Sequence, residues 1–370
     1  MMQRTASALS IVILAAITAV SQISPATVIE RSLEAIGPSR DRDNVRSINA
    51  IADCTGPNGK YTTEIDSANG FRLVFRQFRP NGNNYIGTQN GLTSWTSRAD
   101  GDFDLADRKE TFVWRAHDYQ RIALEIGTRF HDFKYGGESE FGGVPAVRLD
   151  SKDELGNDAA VFFSRSSGLL IGFTVRNPFS GTAETIRTVF SEWKKVGTLT
   201  LPAVATATDK TGDFVLRFRE IKLNQNRDET FAVPPKVASM LEILAVHNSA
   251  RAAHFNREAK LLVSTFADEF ADVRNGAVER PDREKSLGRF ESYFRNSTFI
   301  EWDDVEPPVI RVSDDSTLAY TIVRKRVRLK TRNSAGAEVE ETDVFSWIAT
   351  YKKIRGVWKL TAIASTRAPK

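Results

Sequence analysis

Three carboxylates crowd around one tryptophan in FIEWDD, residues 299–304. Glu301, Asp303 and Asp304 are residue types that serve as general bases or as ligands of hard metal ions. The stretch also has the character of a strand, in which successive side chains point to opposite faces. Alternation puts Glu301 and Asp303 on one face and Trp302 with Asp304 on the other, so at most two of the three acids act together.

The face of this strand that points inward decides what the acids do. With Trp302 inward, Glu301 and Asp303 point to solvent or toward the cations of residues 324–330. With Phe299 inward, the same two acids enter the core as candidate bases. We favour the first orientation, because Trp302 and Ile300 make the better inward-facing pair.

No other pattern indicates a metal or a cofactor. No two histidines stand at i,i+4 or in a His-x-His pair, and Cys54 is the only cysteine, so neither a zinc site nor a disulfide is expected. No phosphate-binding glycine loop and no nucleophile elbow occur. Asp268 and Asp272 do stand at i,i+4, but they flank a Phe-rich stripe and are predicted to form its solvated edge.

The basic run RKRVRLK, residues 324–330, has a structural explanation. With a turn centred near Ala335, Arg332 faces Glu338 and Lys330 faces Glu340 across two strands, as ion pairs on a solvated face. The chain carries 51 basic and 47 acidic residues, a net charge of +4, which argues against nucleic acid as the partner. An acidic lipid headgroup is the alternative partner for the run.

Aromatic residues are the better candidates for a ligand site. Phe71, Leu73 and Phe75 share one face of a predicted strand. The candidate set for an apolar ligand comprises Phe71, Leu73, Phe75, Tyr85, Trp95 and Phe112 in the first half of the chain, and Phe266, Phe290, Trp302 and Trp347 in the second. The alternative, that both sets are ordinary core residues, stays open.

The elements that must position these residues begin after an N-terminal targeting segment. Residues 8–20 are an uninterrupted apolar run, too short for a usual bilayer span and followed by small residues. We therefore predict a cleaved signal peptide over 1–26 and a periplasmic or secreted protein. An uncleaved membrane anchor is the alternative.

Asn-Gly pairs then punctuate a series of strands. Such pairs at 58–59, 69–70, 81–82 and 90–91 predict an antiparallel meander over residues 45–98. Residues 104–127 predict one or two helices over the sheet, and strands resume up to about residue 224. Roughly ten strands with a helical cover describe a large, curved antiparallel sheet.

The second part begins with helices. Residues 250–273 predict one long helix with a stripe that includes Phe255, Phe266 and Phe270, and Pro281-Asp282 begins a second helix. His254 is expected to be a partly exposed residue near the start of the first. Five strands follow, which together make an α+β fold in about 120 residues.

Residues 27–235 resemble the LolA-like periplasmic carriers of lipoproteins and lipids. The resemblance rests on VIERSLEAIG, GLTSW, DAAVFFSRSSGLLIGFTV and FREIKLNQNRDETFAVPP. It implies a half-barrel whose concave face holds acyl chains beneath a helical lid, here residues 104–127.

Residues 248–368 resemble the nuclear transport factor 2-like superfamily, in particular SnoaL-like and DUF4440 members. STFADEFADVRNGAV, SDDSTLAY and YKKIRGVWKLTAIAST carry this resemblance. It implies a cystatin-like α+β cone with a pocket between helices and sheet. Some members are isomerases, and the residues available for a base or an oxyanion donor in such a mechanism are His254, Tyr293, Asp303 and Tyr320.

We therefore expect an α+β protein with a half-barrel over 27–235, a linker over 236–247 and a cone over 248–370. The favoured function is non-enzymatic: the half-barrel binds a lipid or another apolar small molecule, and the cone is a ligand-binding or dimerisation module. A membrane surface or a lipoprotein is a further candidate partner, and a homodimer through the cone is another. The alternative is an isomerase or hydratase with its site in the cone.

Overall fold

The computed structural model describes residues 23–181, 183–332 and 336–369. The predicted signal peptide lies outside these residues except for residues 23–26. Helix α1 (Pro25–Ile36) begins there, and its first turn is capped by the Ser24 hydroxyl, which accepts a hydrogen bond from the Thr27 amide. No helix in the described ranges is long and apolar enough to cross a membrane.

Thirteen strands form one large antiparallel sheet that is not closed. They are β1 (Ser47–Gly56), β2 (Gly59–Ala68), β3 (Arg72–Phe78), β4 (Tyr85–Asn90), β5 (Thr93–Ser97), β6 (Phe103–Leu105), β7 (Phe130–Phe141), β8 (Val144–Asp153), β9 (Asp158–Ser164), β10 (Leu170–Arg176), β11 (Thr185–Val196), β12 (Leu199–Asp209) and β13 (Gly212–Leu223). Strands β6 and β7 are its two edges.

One compact unit comprises residues 23–42 and 122–210. Within it, β7 to β12 follow one another as antiparallel neighbours. Helix α1 packs on β7 and β12 through its buried face. A short helix, α5 (Ile126–Arg129), leads into β7, and α2 (Ser39–Asp43) follows α1.

The other unit comprises residues 43–121 and 211–370 and contains β1 to β6 with β13. The meander predicted from the Asn-Gly pairs is confirmed, with β1 to β5 paired in sequence order. The helices predicted over 104–127 are confirmed as α3 (Arg108–Ala116) and α4 (Tyr119–Leu124), together with α5. Helix α3 packs on β3 and β4, and a capping box of Asp107 and Glu110 fixes where it begins.

The same unit contains a second, mixed sheet. Its strands are β14 (Phe266–Arg274), β15 (Ala277–Glu279), β16 (Ser297–Asp304), β17 (Val309–Val312), β18 (Leu318–Arg332), β19 (Glu338–Ile354) and β20 (Val357–Arg367). Their order is β15-β14-β20-β19-β18-β16, with β17 also paired to β18, and only β14 and β20 run parallel. The register predicted for the basic run is confirmed, because Arg332 pairs with Glu338 and Lys330 with Glu340. The expected turn at Ala335 lies outside the described residues.

The long helix predicted over 250–273 is wrong. Helix α6 (Pro235–Asn256) ends where Arg257 adopts a left-handed conformation, α7 (Ala259–Ser264) is short, and Phe266 begins strand β14. The cause is Asn275-Gly276: both residues have positive φ and turn β14 into β15 as a hairpin. Phe255, placed on the predicted apolar stripe, is exposed. The second helix is confirmed as α8 (Arg283–Asn296), capped by the Asp282 carboxylate.

Residues 236–247, expected to be a linker, form the first half of α6 instead. The helix buries Met240 and Ile243 in an apolar cluster with Ile310 and Trp358 of the second sheet. Phe103 and Leu105 of β6 pack against this cluster. Lys236 adds ion pairs to Asp102 and Asp314. The segment is therefore part of a packed core.

Candidate functional site

A cavity of about 430 Å³ lies between the second sheet and helices α6, α7 and α8. Its walls are mainly apolar and aromatic, and the four aromatic residues predicted to bind ligand in this half of the chain all line it: Phe266, Phe290, Trp302 and Trp347. Polar groups in the wall are few. They include His247, His254, Asp272, Arg274, Arg289 and Tyr293.

A β-bulge in β16 orients Trp302 into the cavity. The pairing of β16 with β18 shifts between Phe299 and Glu301, so one residue of β16 has no partner. Trp302 is buried, in the orientation that we favoured, but Phe299 is buried as well. Strict alternation forbids that combination, and the bulge permits it. Both rings therefore belong to the same core cluster.

Strand alternation beyond the bulge separates the three carboxylates of FIEWDD. Glu301 pairs with Arg326, and Asp303 pairs with Arg251 at 2.6 Å, so neither enters the cavity. Asp304 instead shares the inner side with Trp302. Its carboxylate oxygens lie 2.8 Å from the Lys325 Nζ and 3.0 Å from His247 Nε2.

Lys325 is a buried cation beneath the cavity wall. Its side chain has 0% exposure, and its Nζ lies 3.9 Å from the centre of the Trp302 ring. Burial lowers the pKa of Lys325, while the hydrogen bond to Asp304 acts to raise it. Burial acts to raise the pKa of Asp304, but the hydrogen bonds of His247 and Lys325 outweigh it and leave that pKa below its usual range. At the 2.8 Å separation of the two groups, the opposite charges of an ionised pair offset each other.

The burial of Lys325 differs from the prediction that the whole basic run lies on a solvated face. Alternation along β18 gives the missing signal, since Lys325 shares parity with Val323 and Val327, which are buried. The even-numbered cations of the run do point outward, as predicted.

His254 lies in the last turn of α6 and lines the cavity, and the expectation of a partly exposed residue near a helix start is wrong. Its ring stacks on Trp302 with the ring centres 4.3 Å apart. Nδ1 lies 2.6 Å from the carbonyl oxygen of Ala250 and must donate to it, since a carbonyl only accepts. Burial lowers the pKa of His254 to about 4, so the ring is neutral near pH 7.

An ion-pair cluster lies elsewhere on the wall. Asp272, predicted to be a solvated residue, is buried on β14 and lies 2.9 Å from Arg289 and 3.6 Å from Arg274. Asp268 is exposed as predicted. The difference follows from an irregularity in β14: its pairing with β20 shifts between Phe266 and Ala271, so regular alternation does not extend from Asp268 to Asp272.

The four residues proposed for an isomerase mechanism do not converge. His254 and Tyr293 line the cavity with ring centres 6.5 Å apart, and burial raises the pKa of Tyr293 to about 12. Asp303 is held by Arg251 outside the cavity lining. Tyr320 points outward from β18 and is exposed.

The residues predicted to bind ligand in the first half of the chain are mostly buried. Leu73, Phe75, Trp95 and Phe112 are buried. The Tyr85 hydroxyl accepts a hydrogen bond of 2.9 Å from Trp114 of α3.

Phe71 is not on the same face as Leu73 and Phe75. It precedes β3 with φ of 57° and is 53% exposed, under the guanidinium of Arg115. Phe71 therefore lies outside the strand, and strand alternation does not determine the direction of its side chain. Within the described ranges, no group of three or more His, Cys, Asp or Glu residues could hold a metal ion.

No family model matches the sequence, and no curated protein matches it. Among similar solved structures, a LolA superfamily protein from Nitrosomonas europaea is 11% identical with a TM-score of 0.42, and the match covers 57% of this chain and 98% of that one. An NTF2-like protein from Cytophaga hutchinsonii is 16% identical with a TM-score of 0.29, over 34% of this chain and 95% of that one.

A ketosteroid isomerase-like protein from Erwinia carotovora atroseptica is 15% identical with a TM-score of 0.29, over 36% of this chain and 98% of that one. The solved structures that are similar to this chain thus include a LolA superfamily protein, an NTF2-like protein and a ketosteroid isomerase-like protein. Because one fold serves many functions, the function must be argued from the site.

Proposed function

We propose that this chain is a non-enzymatic binding protein that holds an apolar ligand in the cavity between α6, α7, α8 and the second sheet. The observation that carries the proposal is the cavity itself, about 430 Å³ within largely aromatic walls. Ligand sites are typically concave, mostly apolar and furnished with a few polar groups. An unfilled apolar cavity costs stability, and a bound apolar molecule would recover that loss.

The charged groups of the wall favour binding over catalysis. Asp272 is paired with Arg289, and Asp304 is paired with Lys325. A carboxylate base of the isomerase kind needs an apolar environment that leaves it available to the substrate. His254 is a weak base, because burial lowers its pKa to about 4.

The N-terminal sheet is a second candidate site for a lipid, as the LolA resemblance implies. Helix α3 packs on β3 and β4 of this sheet, so an acyl chain that enters there would have to displace it. Export through the apolar N-terminal segment would place both sites in the periplasm or outside the cell. A membrane surface or a lipoprotein would then be the source of the lipid.

We also propose that a second copy of the chain packs on the outer face of the second sheet. Leu318, Tyr320 and Ile322 are exposed on β18, and Ile322 stands between Val309 of β17 and Ile348 of β19. An antiparallel sheet usually turns polar side chains to water on such a face. Apolar residues grouped there are typical of an interface, and a twofold dimer would bury the patch against itself.

The test of the cavity uses the uncharged fluorescent dye N-phenyl-1-naphthylamine and the full chain. Ala250 lines the cavity on α6, and Ala250→Phe would fill part of it. We expect the dye affinity to fall at least about tenfold, a loss comparable to that of one well-buried apolar contact. The measurement is a fluorescence titration.

The matched control is Ala252→Phe, which adds the same ring to an exposed position two residues away on the same helix. It should bind the dye like the unmodified chain. Equal binding by all three proteins would place the dye outside the cavity and overturn the proposal.

A further inference from the structure

His254 presents one unprotonated nitrogen to the cavity. Its Nδ1 donates to the Ala250 carbonyl, and its ring is held by Trp302 on one face and by the rings of Phe294 and Phe299, 5.2 and 5.1 Å away between centres. The ring therefore has one tautomer and one orientation. Nε2 makes no hydrogen bond to any described residue. It is accessible from the cavity and is not fully enclosed by protein atoms.

The surroundings keep this nitrogen an acceptor. Protonation of Nε2 would put a second cation near Lys325 inside an aromatic enclosure, and both effects act against it. A neutral imidazole that donates from Nδ1 can only accept at Nε2. His254 is more than nine-tenths buried, so the lone pair requires a partner within the cavity to avoid the cost of an unpaired polar atom.

Charged groups at the cavity wall are already engaged. Arg289 bonds to Asp272, while Arg274 pairs with Asp272 and Glu279. His247 Nε2 is engaged with Asp304 and lies 3.3 Å from the Lys325 Nζ. The Tyr293 hydroxyl is the other polar group of the wall near His254, and it can donate or accept.

On the basis of the proposed function, we propose that the cavity selects an uncharged apolar ligand that carries a hydroxyl group, and that this hydroxyl donates to Nε2 of His254. A hydrocarbon would leave Nε2 without a hydrogen bond. A carbonyl or a carboxylate is itself only an acceptor, so its lone pair and that of Nε2 would repel each other. Sites built to bond a hydroxyl discriminate strongly against analogues that lack it.

Three probes with one skeleton test the inference: 4-phenylphenol, biphenyl and 4-phenylbenzoate. Binding to the full chain is measured by calorimetry and by quenching of tryptophan fluorescence, since Trp302 and Trp347 line the cavity. We expect 4-phenylphenol to bind about tenfold more tightly than biphenyl, the gain of one net hydrogen bond. The carboxylate should bind most weakly.

The outcomes separate the inference from the proposed function. If none of the three probes binds, the proposed function fails together with the inference. If biphenyl binds as well as 4-phenylphenol, apolar binding stands and the inference is overturned. Tightest binding of 4-phenylbenzoate would also overturn it and would point to the arginines instead.

Two variants assign the preference to one residue. In His254→Phe a ring can still stack on Trp302 but the acceptor is gone, so 4-phenylphenol and biphenyl should bind alike. Tyr293→Phe removes the hydroxyl that competes with His254 for this role. A preference that is lost in Tyr293→Phe but kept in His254→Phe would overturn the role of His254.

A measurement on the unmodified chain covers the case in which His254→Phe fails to fold. The ¹⁵N resonance of His254 Nε2 should move toward the hydrogen-bonded range on addition of 4-phenylphenol and should not do so with biphenyl. An unchanged resonance with saturating 4-phenylphenol would overturn the inference.

Discussion

Buried ionisable side chains gather around Trp302. Lys325 lies against one side of the ring in an ion pair with Asp304, whereas His254 stacks on the ring and is neutral. The indole thus shares its surroundings with one cation and one uncharged imidazole. Protonation of the imidazole is the change that this arrangement tolerates least.

Acid should therefore destabilise the protein through His254. Its pKa falls from 6.5 to about 4 on folding, so the unfolded chain binds the proton more tightly. The contribution to stability is complete above pH 6.5 and is lost as the pH falls toward 4, by roughly 3 kcal/mol. Urea unfolding of the native chain and of His254→Phe across this pH range measures it.

The difference between the two unfolding free energies is the informative quantity, because His117 is also buried with a lowered pKa and contributes to both proteins. This difference should change by the stated amount between the two ends of the range. If it stays constant with pH, the burial argument for His254 is wrong.

Alternation alone predicted correctly that Trp302 is buried but not that Phe299 is buried too. A bulge depends on how the partner strand and the core accept one extra residue, and a single strand's sequence does not contain that information. Lys325 was within reach of alternation, since it stands between two inward-facing valines. The ion pairs predicted for Lys330 and Arg332 account only for the even-numbered cations, and Lys325 has the opposite parity.

At the scale of elements, the lid helix α3 depends on one glycine beneath it. The Trp114 indole rests directly on the backbone of Gly87 in β4, where any Cβ would overlap the ring. Gly87 has no positive φ, so the requirement is for space alone. The tryptophan also donates a hydrogen bond to Tyr85 on the same strand.

Gly87→Ala should therefore loosen the lid. The indole must move or α3 must lift, at a cost of about 1–3 kcal/mol. Amide hydrogen exchange over residues 107–117 and the thermal midpoint measure the effect, with faster exchange and a lower midpoint expected.

Gly288→Ala is the matched control. Gly288 is an exposed residue inside α8 with open space at its Cβ, so alanine should raise stability by about 1 kcal/mol. If both substitutions act in the same direction, Trp114 does not hold the lid as described.

Asn-Gly pairs show which strands could be predicted from the sequence and which could not. Asn-Gly pairs predicted the first meander correctly, and the pair at 275–276 carried equal information about β14 and β15. We gave precedence to the helical spacing of Phe266 and Phe270. The parallel pairing of β14 with β20, nearly a hundred residues later in the chain, also stabilises the strand, and no local pattern could specify that contact.

At the scale of the molecule, the proposed dimer makes a prediction of its own. Ile322→Glu puts a charge at the middle of the exposed patch on β18 and should shift the population toward monomer at micromolar concentration. Light-scattering mass as a function of concentration reports the shift. Val278→Glu is the control, because Val278 is equally an exposed apolar residue but lies on β15. A native chain that is monomeric at all concentrations would refute the dimer.

Composition and resemblance were enough to predict two sheets with helices, and they placed a linker at 236–247. The sequence does not show that this segment is part of the core, because Met240 and Ile243 pack against residues that are distant in the chain, among them Ile310 and Trp358. Sequence alone does not distinguish a helix that packs into a core from a helix that only connects two parts of the chain.

The packing of β6 against α6 has a consequence for how the large sheet behaves in a crowded solution. An open sheet has two edges with unpaired backbone groups, and such edges recruit strands from other molecules. Strand β6 is short and is covered by the cluster on α6. Strand β7 carries two register breaks and a series of charged side chains that interrupt a regular template. Each edge thus resists edge-to-edge pairing with other molecules, which leads to fibres. Substitutions that expose the edge of β6 should promote such pairing most.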